Sequence, residues 1–160
     1  AWSKENLGGS YPISQPISTF VIGSYYSVPS GQATNPAAMW GTTSGGSGIA
    51  VNWSTWSWGL ATRTTWTAPG PTWLVEGNQM LLSGFFNTTD SYLYHNGVVD
   101  ATMNGIDVGT GTWTYMSVFD YYGTRGNWRG KIQEFIIYDD DAISDRVGIE
   151  TNVNDFYTIY

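Results

Sequence analysis

The stretch Gly130-Lys-Ile-Gln-Glu-Phe-Ile-Ile-Tyr138-Asp-Asp-Asp141 decides the fold class of this chain. Its centre, residues 132–138, is a dense run of β-branched and aromatic residues, which is typical of a strand. Gly130 opens the run, and the three aspartates close it because aspartate is depleted within strands. The sequence therefore predicts one long strand near the end of the chain.

A helical pattern follows that strand, and it is the only convincing one in the sequence. Ser144 stands where an N-cap belongs, and Asp145 suits the positive end of a helix dipole. Apolar residues then recur at helical spacing, at Ile149, Val153 and Phe156 or Tyr157. We expect one short C-terminal helix after a series of strands.

The rest of the sequence predicts strands separated by turns. The clearest signal is Asn96-Gly97, which favours the type I′ turn of a hairpin between residues 91–95 and 98–102. A second pair, Asn104-Gly105, predicts a turn or a bulge. The other predicted strands cover residues 17–26, 38–42, 49–57, 58–67, 79–86 and 112–120. Short strands without earlier helices are typical of a sandwich or a barrel.

The composition argues against several classes of protein. A length of 160 residues fits one domain, which we place at residues 16–160 after a leading segment or linker stub at 1–15. Aromatic residues make up 16% and charged residues 12%, which argues against disorder. The absence of cysteine excludes disulfides, and a net charge of −7 argues against nucleic-acid binding. No apolar run is long enough to predict a membrane span, and no signal-peptide pattern is present.

Two segments resemble the laminin-G-like branch of the concanavalin A-like lectin/glucanase superfamily. The strand and helix start match its pattern at Gly130, Ile132, Glu134, Phe135, Ile136, Ile137, Tyr138, Ile143, Ser144 and Asp145. The hairpin matches at Leu93, Tyr94, Asn96, Gly97 and Val98. This resemblance implies an all-β fold: a two-sheet antiparallel jelly-roll sandwich with one short C-terminal helix. It also implies binding rather than catalysis.

Catalysis is not predicted. Glucanases of this superfamily carry an E-x-D-x-E strand, in which alternation places three carboxylates on one face. Here Glu134 is the only acid within its strand, and simple alternation gives it the apolar neighbours Ile132 and Ile136. We expect Glu134 to be a structural carboxylate that accepts hydrogen bonds from Arg129, a tyrosine or the backbone. The single histidine, His95, is expected to be exposed beside the hairpin turn.

No cofactor is predicted, and calcium stays open as an alternative. One histidine and no cysteine leave too few ligands for zinc. The resemblance implies that sandwiches of this kind often hold Ca²⁺ at the loop rim, through carboxylates and carbonyls. Candidate ligands are Asp90, Asp120 and Asp139–Asp141. Acidic runs are more often simply solvated, and we expect that role here.

The candidate carbohydrate-binding residues are aromatic. Trp53, Trp56 and Trp58 crowd one stretch, and Tyr121 and Tyr122 lie in a predicted loop. Exposed rings stack on the flat C–H faces of sugars, and they also suit protein interfaces because they offer a large area with few rotatable bonds. Core packing is the alternative role for the same rings.

These observations predict a non-catalytic surface recognition or structural module. Residues 149–160 resemble the ends of bacteriophage structural proteins, which implies a virion decoration or tail-fibre adhesion domain. Its partners would be glycans or other virion or surface protein subunits, and homo-oligomers are left open. The alternative is an extracellular carbohydrate-binding module of a secreted bacterial enzyme. A glycan hydrolase is the third hypothesis.

Overall fold

The computed structural model describes residues 5–6, 13–26, 37–42, 48–52, 57–61, 77–108, 112–113, 116–118 and 130–160. The strands are β1 Glu5–Asn6, β2 Ile13–Ser14, β3 Ile17–Tyr25, β4 Ala37–Thr42, β5 Gly48–Asn52, β6 Ser57–Ala61, β7 Gln79–Phe86, β8 Ser91–His95, β9 Val98–Ile106, β10 Thr112–Trp113, β11 Met116–Val118 and β12 Gly130–Tyr138. The helix is α1, Arg146–Tyr157. The all-β fold with one C-terminal helix is therefore confirmed.

The strands form two five-stranded antiparallel sheets. The first sheet has the order β1-β11-β4-β5-β6, and the second has the order β12-β3-β7-β8-β9. A two-stranded ribbon joins β10 to β2. The sheets approach closely at Gly84 of the second, where a Cβ atom would lie 3.1 Å from Cδ1 of Ile49 in the first. The described residues therefore build a two-sheet sandwich.

Strand β7 lies at the centre of the second sheet and is buried on both faces. Every residue from Met80 to Phe86 is buried. Gly84 faces the first sheet, and Leu82 and Phe86 share its face by strand alternation. A continuous apolar run is expected of a strand that is covered on both sides.

Helix α1 covers the outer face of the second sheet and adds a third layer. Val153 joins a buried cluster with Phe20, Ile22, Leu81 and Phe85 of the sheet. Ile149 and Tyr157 pack against this cluster, which confirms the helical spacing that the sequence shows. Phe156 is instead 79% exposed, so Tyr157 is the residue that completes the apolar stripe. The N-cap is Asp145 rather than Ser144, and it makes no side-chain cap bond.

Most predicted strands are found close to their expected bounds. β7 and β12 match the prediction, and Asn96 and Gly97 both have positive φ values, 50° and 79°, as a type I′ turn requires. Gly105 is an extra residue in β9, because Ser91 pairs with Ile106 while Tyr92 pairs with Asn104. The predicted bulge is therefore present.

Three predicted strands, at 49–57, 58–67 and 112–120, are described only in part. Their described residues lie in β5, β6, β10 and β11, and Ser57 belongs to β6 rather than to the strand before it. The other residues of these spans lie outside the described part of the chain. The leading segment contributes β1 and β2, which pair with β11 and β10.

A bulge in β12 changes the face on which Glu134 lies. Gly23 pairs with Ile132 and Ile22 pairs with Glu134, which leaves Gln133 as an extra residue. The bulge resets the alternation, so Glu134 shares the helix-covered face with Ile22, while Ile132 lies on the opposite face. The expectation that Ile132 and Glu134 share a face is therefore wrong.

Candidate binding site

The predicted aromatic residues fall mostly outside the described part of the chain. Trp58 lies in β6, where it pairs with Val51 of β5. Its side chain is outside the description, and so are Trp53, Trp56, Tyr121 and Tyr122 as whole residues. Their role in carbohydrate binding stays a prediction.

The register of the first sheet nevertheless relates the two aromatic segments to each other. Val51 pairs with Ala37, and Val118 pairs with Trp40, so both β5 and β11 run towards the start of β4. Strand β6 begins at the same end, because its first residue pairs with Asn52. We call this the aromatic end of the first sheet: the end where β5 and β11 leave the sheet and β6 enters it. Residues 53–56 and 119–122 both adjoin it in sequence.

Strand spacing sets how far apart β5 and β11 lie across the sheet. Only β4 separates them in the sheet order. Neighbouring strands lie about 4.8 Å apart, so β5 and β11 are separated by roughly 10 Å across the sheet. Because Val51 pairs with Ala37 while Val118 pairs with Trp40, their described ends are also staggered along the sheet.

The outer face of the second sheet offers no comparable site beneath the helix. Phe20, Leu81 and Phe85 are at most 1% exposed there, because α1 packs on them. The Phe20 and Phe85 rings pack edge to face, with their centroids 5.7 Å apart. These side chains form core and are closed to a ligand.

Glu134 has a structural partner, as the sequence led us to expect. Its Oε2 accepts a hydrogen bond of 3.0 Å from the Tyr157 hydroxyl at the end of α1. This bond, with burial and the nearby negative charge, raises the pKa of Tyr157. The carboxylate thus helps to attach the helix to the sheet.

His95 is half-buried, which corrects the expectation that it is exposed. The hairpin turn is tied to β7, because Asn96 accepts a bond of 2.9 Å from the Leu81 amide and donates one of 2.9 Å to its carbonyl. The His95 side chain, which directly precedes this turn, is therefore partly buried. Burial lowers the pKa of His95, and the charge of Asp100 partly opposes that effect.

A charged network between helix and hairpin was not foreseen from the sequence. Glu150 is 3% exposed and accepts a bond of 2.7 Å from the Ser83 hydroxyl, and its other oxygen pairs with Arg146. Arg146 also lies 4.0 Å from the centroid of the Tyr94 ring and donates to the Gly97 carbonyl at 3.3 Å. The sequence did offer one signal for this ion pair: Arg146 and Glu150 are four residues apart, which makes them neighbours on a helix surface.

Three of the five carboxylates proposed as calcium ligands accept local hydrogen bonds. Asp140 accepts a bond of 2.7 Å from the Asp141 amide, and Asp141 accepts one of 3.2 Å from Ile143. Asp90 accepts a bond of 2.6 Å from the Tyr92 hydroxyl, while Asp120 lies outside the described residues. Across the part of the chain that the structure describes, no cluster of three or more acidic or histidine side chains could hold a metal ion. Within the same residues, no helix is long and apolar enough to cross a membrane.

Comparison with known proteins gives matches to structures only. No family model matches the sequence, and no curated protein is similar to it. A sialidase from Trypanosoma rangeli, in complex with sialic acid, superposes with a TM-score of 0.64 at 10% identity and covers 91% of this chain and 26% of its own. Domain 4 of AbnA, a GH43 extracellular arabinanase from Geobacillus stearothermophilus, in complex with arabinotriose, gives 0.58 at 18% identity over 78% and 61% of the two chains. The alginate lyase AlgAT5 of polysaccharide lyase family 7 gives 0.53 at 12% over 81% and 62%.

The extent of these matches limits what they show. The chain spans about a quarter of the sialidase and about three-fifths of the other two structures. At such low identity the likeness concerns the fold. It agrees with the architecture that the concanavalin A-like resemblance implies. The chain is a jelly-roll β-sandwich with one short C-terminal helix.

Proposed function

We propose that this chain is a non-catalytic carbohydrate-binding domain with its site at the aromatic end of the first sheet. The observation that carries the proposal is the register that brings the exits of β5 and β11 to one end of that sheet. Trp53 and Trp56 follow the first exit, Trp58 lies at the start of β6, and two tyrosines follow the second exit. Rings brought together from two strands can stack on consecutive sugar units.

The structural neighbours support a glycan ligand, and they favour one of the two kinds of parent protein considered above. They are glycan-processing enzymes or domains of them, and two were seen with sialic acid or arabinotriose. A module of an extracellular carbohydrate-active protein therefore fits better than a virion decoration or tail-fibre domain. The virion setting, with its partner subunits and homo-oligomers, rests on the resemblance of residues 149–160 alone.

The absence of catalysis is part of the proposal. Retaining glycosidases need two carboxyl groups about 5 Å apart, one of them free to move a proton. Glu134, the acid that the sequence singled out, is bonded to Tyr157 beneath the helix. It is therefore placed to hold structure rather than to reach a glycosidic bond.

The first test measures binding of three probes: 3′-sialyllactose, arabinotriose and an alginate trisaccharide. Isothermal titration of the intact chain is expected to show binding of at least one of them. Trp53→Ala, Trp56→Ala and Tyr121→Ala should each weaken it by about 5- to 100-fold, the size of a lost aromatic contact. Phe156→Ala is the matched control, because this ring is exposed on α1, outside the proposed site.

Two outcomes would contradict the proposal. One is that no probe binds, or that the ring variants change affinity no more than Phe156→Ala does. The other is release of reducing sugar from a polysaccharide panel that disappears in Glu134→Gln. That result would make the chain an enzyme.

A further inference from the structure

Three polar side chains form a row across the second sheet. Lys131 of β12 pairs with Ser24 of β3, and Ser24 pairs with Gln79 of β7. We call these three residues the polar row. The pairing of β3 with β7 runs without a shift, so Ser24 has the parity of Phe20 and Ile22, which lie under α1. The polar row therefore lies on the outer face of the sheet, next to the helix-covered apolar cluster.

An exposed aromatic ring stands beside the polar row. Tyr26, which follows β3, is 41% exposed, and the Lys131 Nζ atom lies 5.4 Å from its ring centroid. Hydrogen bonding with Ser24, and then with Lys131, lowers the pKa of Tyr26. The Tyr26 ring therefore stands beside the Lys131 ammonium and stays open to solvent.

The polar row contains one hydrogen-bond donor that lacks an acceptor among the described residues. The Gln79 Nε2 atom is enclosed and has no hydrogen-bond partner among the described residues. Buried polar atoms are nearly always satisfied in native proteins, so such a donor calls for an acceptor. The next helix-facing acid of β12, Glu134, is already bonded to Tyr157. The polar row itself contains an ammonium, an amide and a hydroxyl, and no carboxylate.

We infer that the polar row and Tyr26 form a second sugar site, which takes a sugar bearing a carboxylate. The Lys131 ammonium would pair with the sugar carboxylate in a charge-assisted bond. The Tyr26 ring would cover a C–H face, and the Gln79 amide would turn to donate to a ring substituent. Sialic acids and uronic acids share this chemistry, and the probes below separate them.

This site deepens the proposed function, because it assumes that the chain recognises glycans, but it lies on the other sheet. The two claims can therefore fail separately. Loss of binding in the Trp53 and Trp56 variants reports on the aromatic end. Loss of acidic-sugar binding in the Lys131 variant, with arabinotriose binding unchanged, reports on the polar row.

The experiment titrates the ¹⁵N-labelled chain with 3′-sialyllactose, an alginate trisaccharide and neutral lactose. Amide shifts at Ser24, Tyr26, Gln79 and Lys131 are expected with at least one acidic probe. Lys131→Met should weaken that binding about tenfold, and Lys131→Arg should retain most of it, because the charge is kept. Raising the salt concentration should weaken acidic-probe binding of the wild type.

Lys4→Met is the control for a change in net charge alone. The inference is overturned if Lys4→Met and Lys131→Met act equally, or if lactose shifts the same amides as strongly. It is also overturned if neither acidic probe shifts them at about 10 mM, a concentration that detects Kd values in the millimolar range. Thermal melts establish that each variant is folded, which is expected because the Lys131 side chain is exposed.

Discussion

At the scale of single residues, the helix and sheet are joined by polar groups rather than by apolar contact alone. Glu150 is almost fully buried, and both of its oxygens are engaged, by Ser83 and by Arg146. A buried carboxylate with both partners in place is tolerated, whereas removal of one partner would leave an uncompensated charge. This arrangement makes the position of α1 on the sheet specific.

His95 gives the molecule a pH dependence that can be measured. Burial depresses the pKa of the folded imidazole below its ordinary value of about 6.5, so the unfolded chain binds the proton more readily. The contribution to stability is present above pH 6.5 and is lost as the pH falls from there through the folded pKa. The His95→Gln variant should not show this loss of stability as the pH falls.

The measurement has two parts. Because His95 is the only histidine, its imidazole signal in a ¹H–¹³C titration is unambiguous, and its midpoint should lie below that of a free histidine. Urea unfolding at pH 7 and pH 5 should show a larger loss of stability for the wild type than for His95→Gln. Equal losses would mean that the imidazole titrates as an exposed group.

At the scale of elements, the hairpin turn and the C-terminal helix depend on each other. Gly97 has a φ of 79°, and a Cβ atom there would lie 3.1 Å from the Tyr160 hydroxyl. Gly97→Ala should cost about 1–2 kcal/mol, mainly because an L-residue is strained in this conformation. Gly148→Ala, within α1 and with open space around it, should instead stabilise by about 0.5–1 kcal/mol.

Urea denaturation of both variants tests these two expected changes in stability. Opposite signs are expected from the same chemical change, since one glycine is required by its backbone and the other is not. A destabilised Gly148→Ala would mean that this helix position is packed. A neutral Gly97→Ala would mean that the turn relaxes to another type.

Local patterns were enough to predict the elements that carry their own signals. The β-branched run of β12, the Asn96-Gly97 turn and the apolar stripe of α1 are all visible in the sequence. The bulge at Gln133 was not, because it depends on how β12 aligns with β3. The polar row was missed for the same reason: its members are adjacent only through pairing.

At the scale of the whole molecule, stability depends on the close approach of the two sheets. A Cβ atom on Gly84 would meet Phe86 and Thr19 at 3.0 Å and Ile49 at 3.1 Å. Gly84→Ala should therefore destabilise by about 1–3 kcal/mol, the usual cost of overpacking. Gly148→Ala serves as control, and equal unfolding midpoints for the two variants would show that the sheets can separate slightly.

The candidate site could be predicted only in part. The sequence names the aromatic residues, but strand order is needed to see that residues 53–56 and 119–122, which are far apart in the chain, adjoin the same end of the first sheet in sequence. Composition shows that the rings are abundant, and only pairing shows which strand ends they adjoin.

The bulge in β12 also affects whether other chains can pair with this strand. β12 is the outermost strand of the second sheet, and a regular outer strand offers its free N–H and C=O groups to any other chain. The extra Gln133 breaks that regular row, and Lys131 adds a charge beside the break. Gln133, the extra residue that places Glu134 on the helix-covered face, therefore makes this sheet edge a poor template for aggregation.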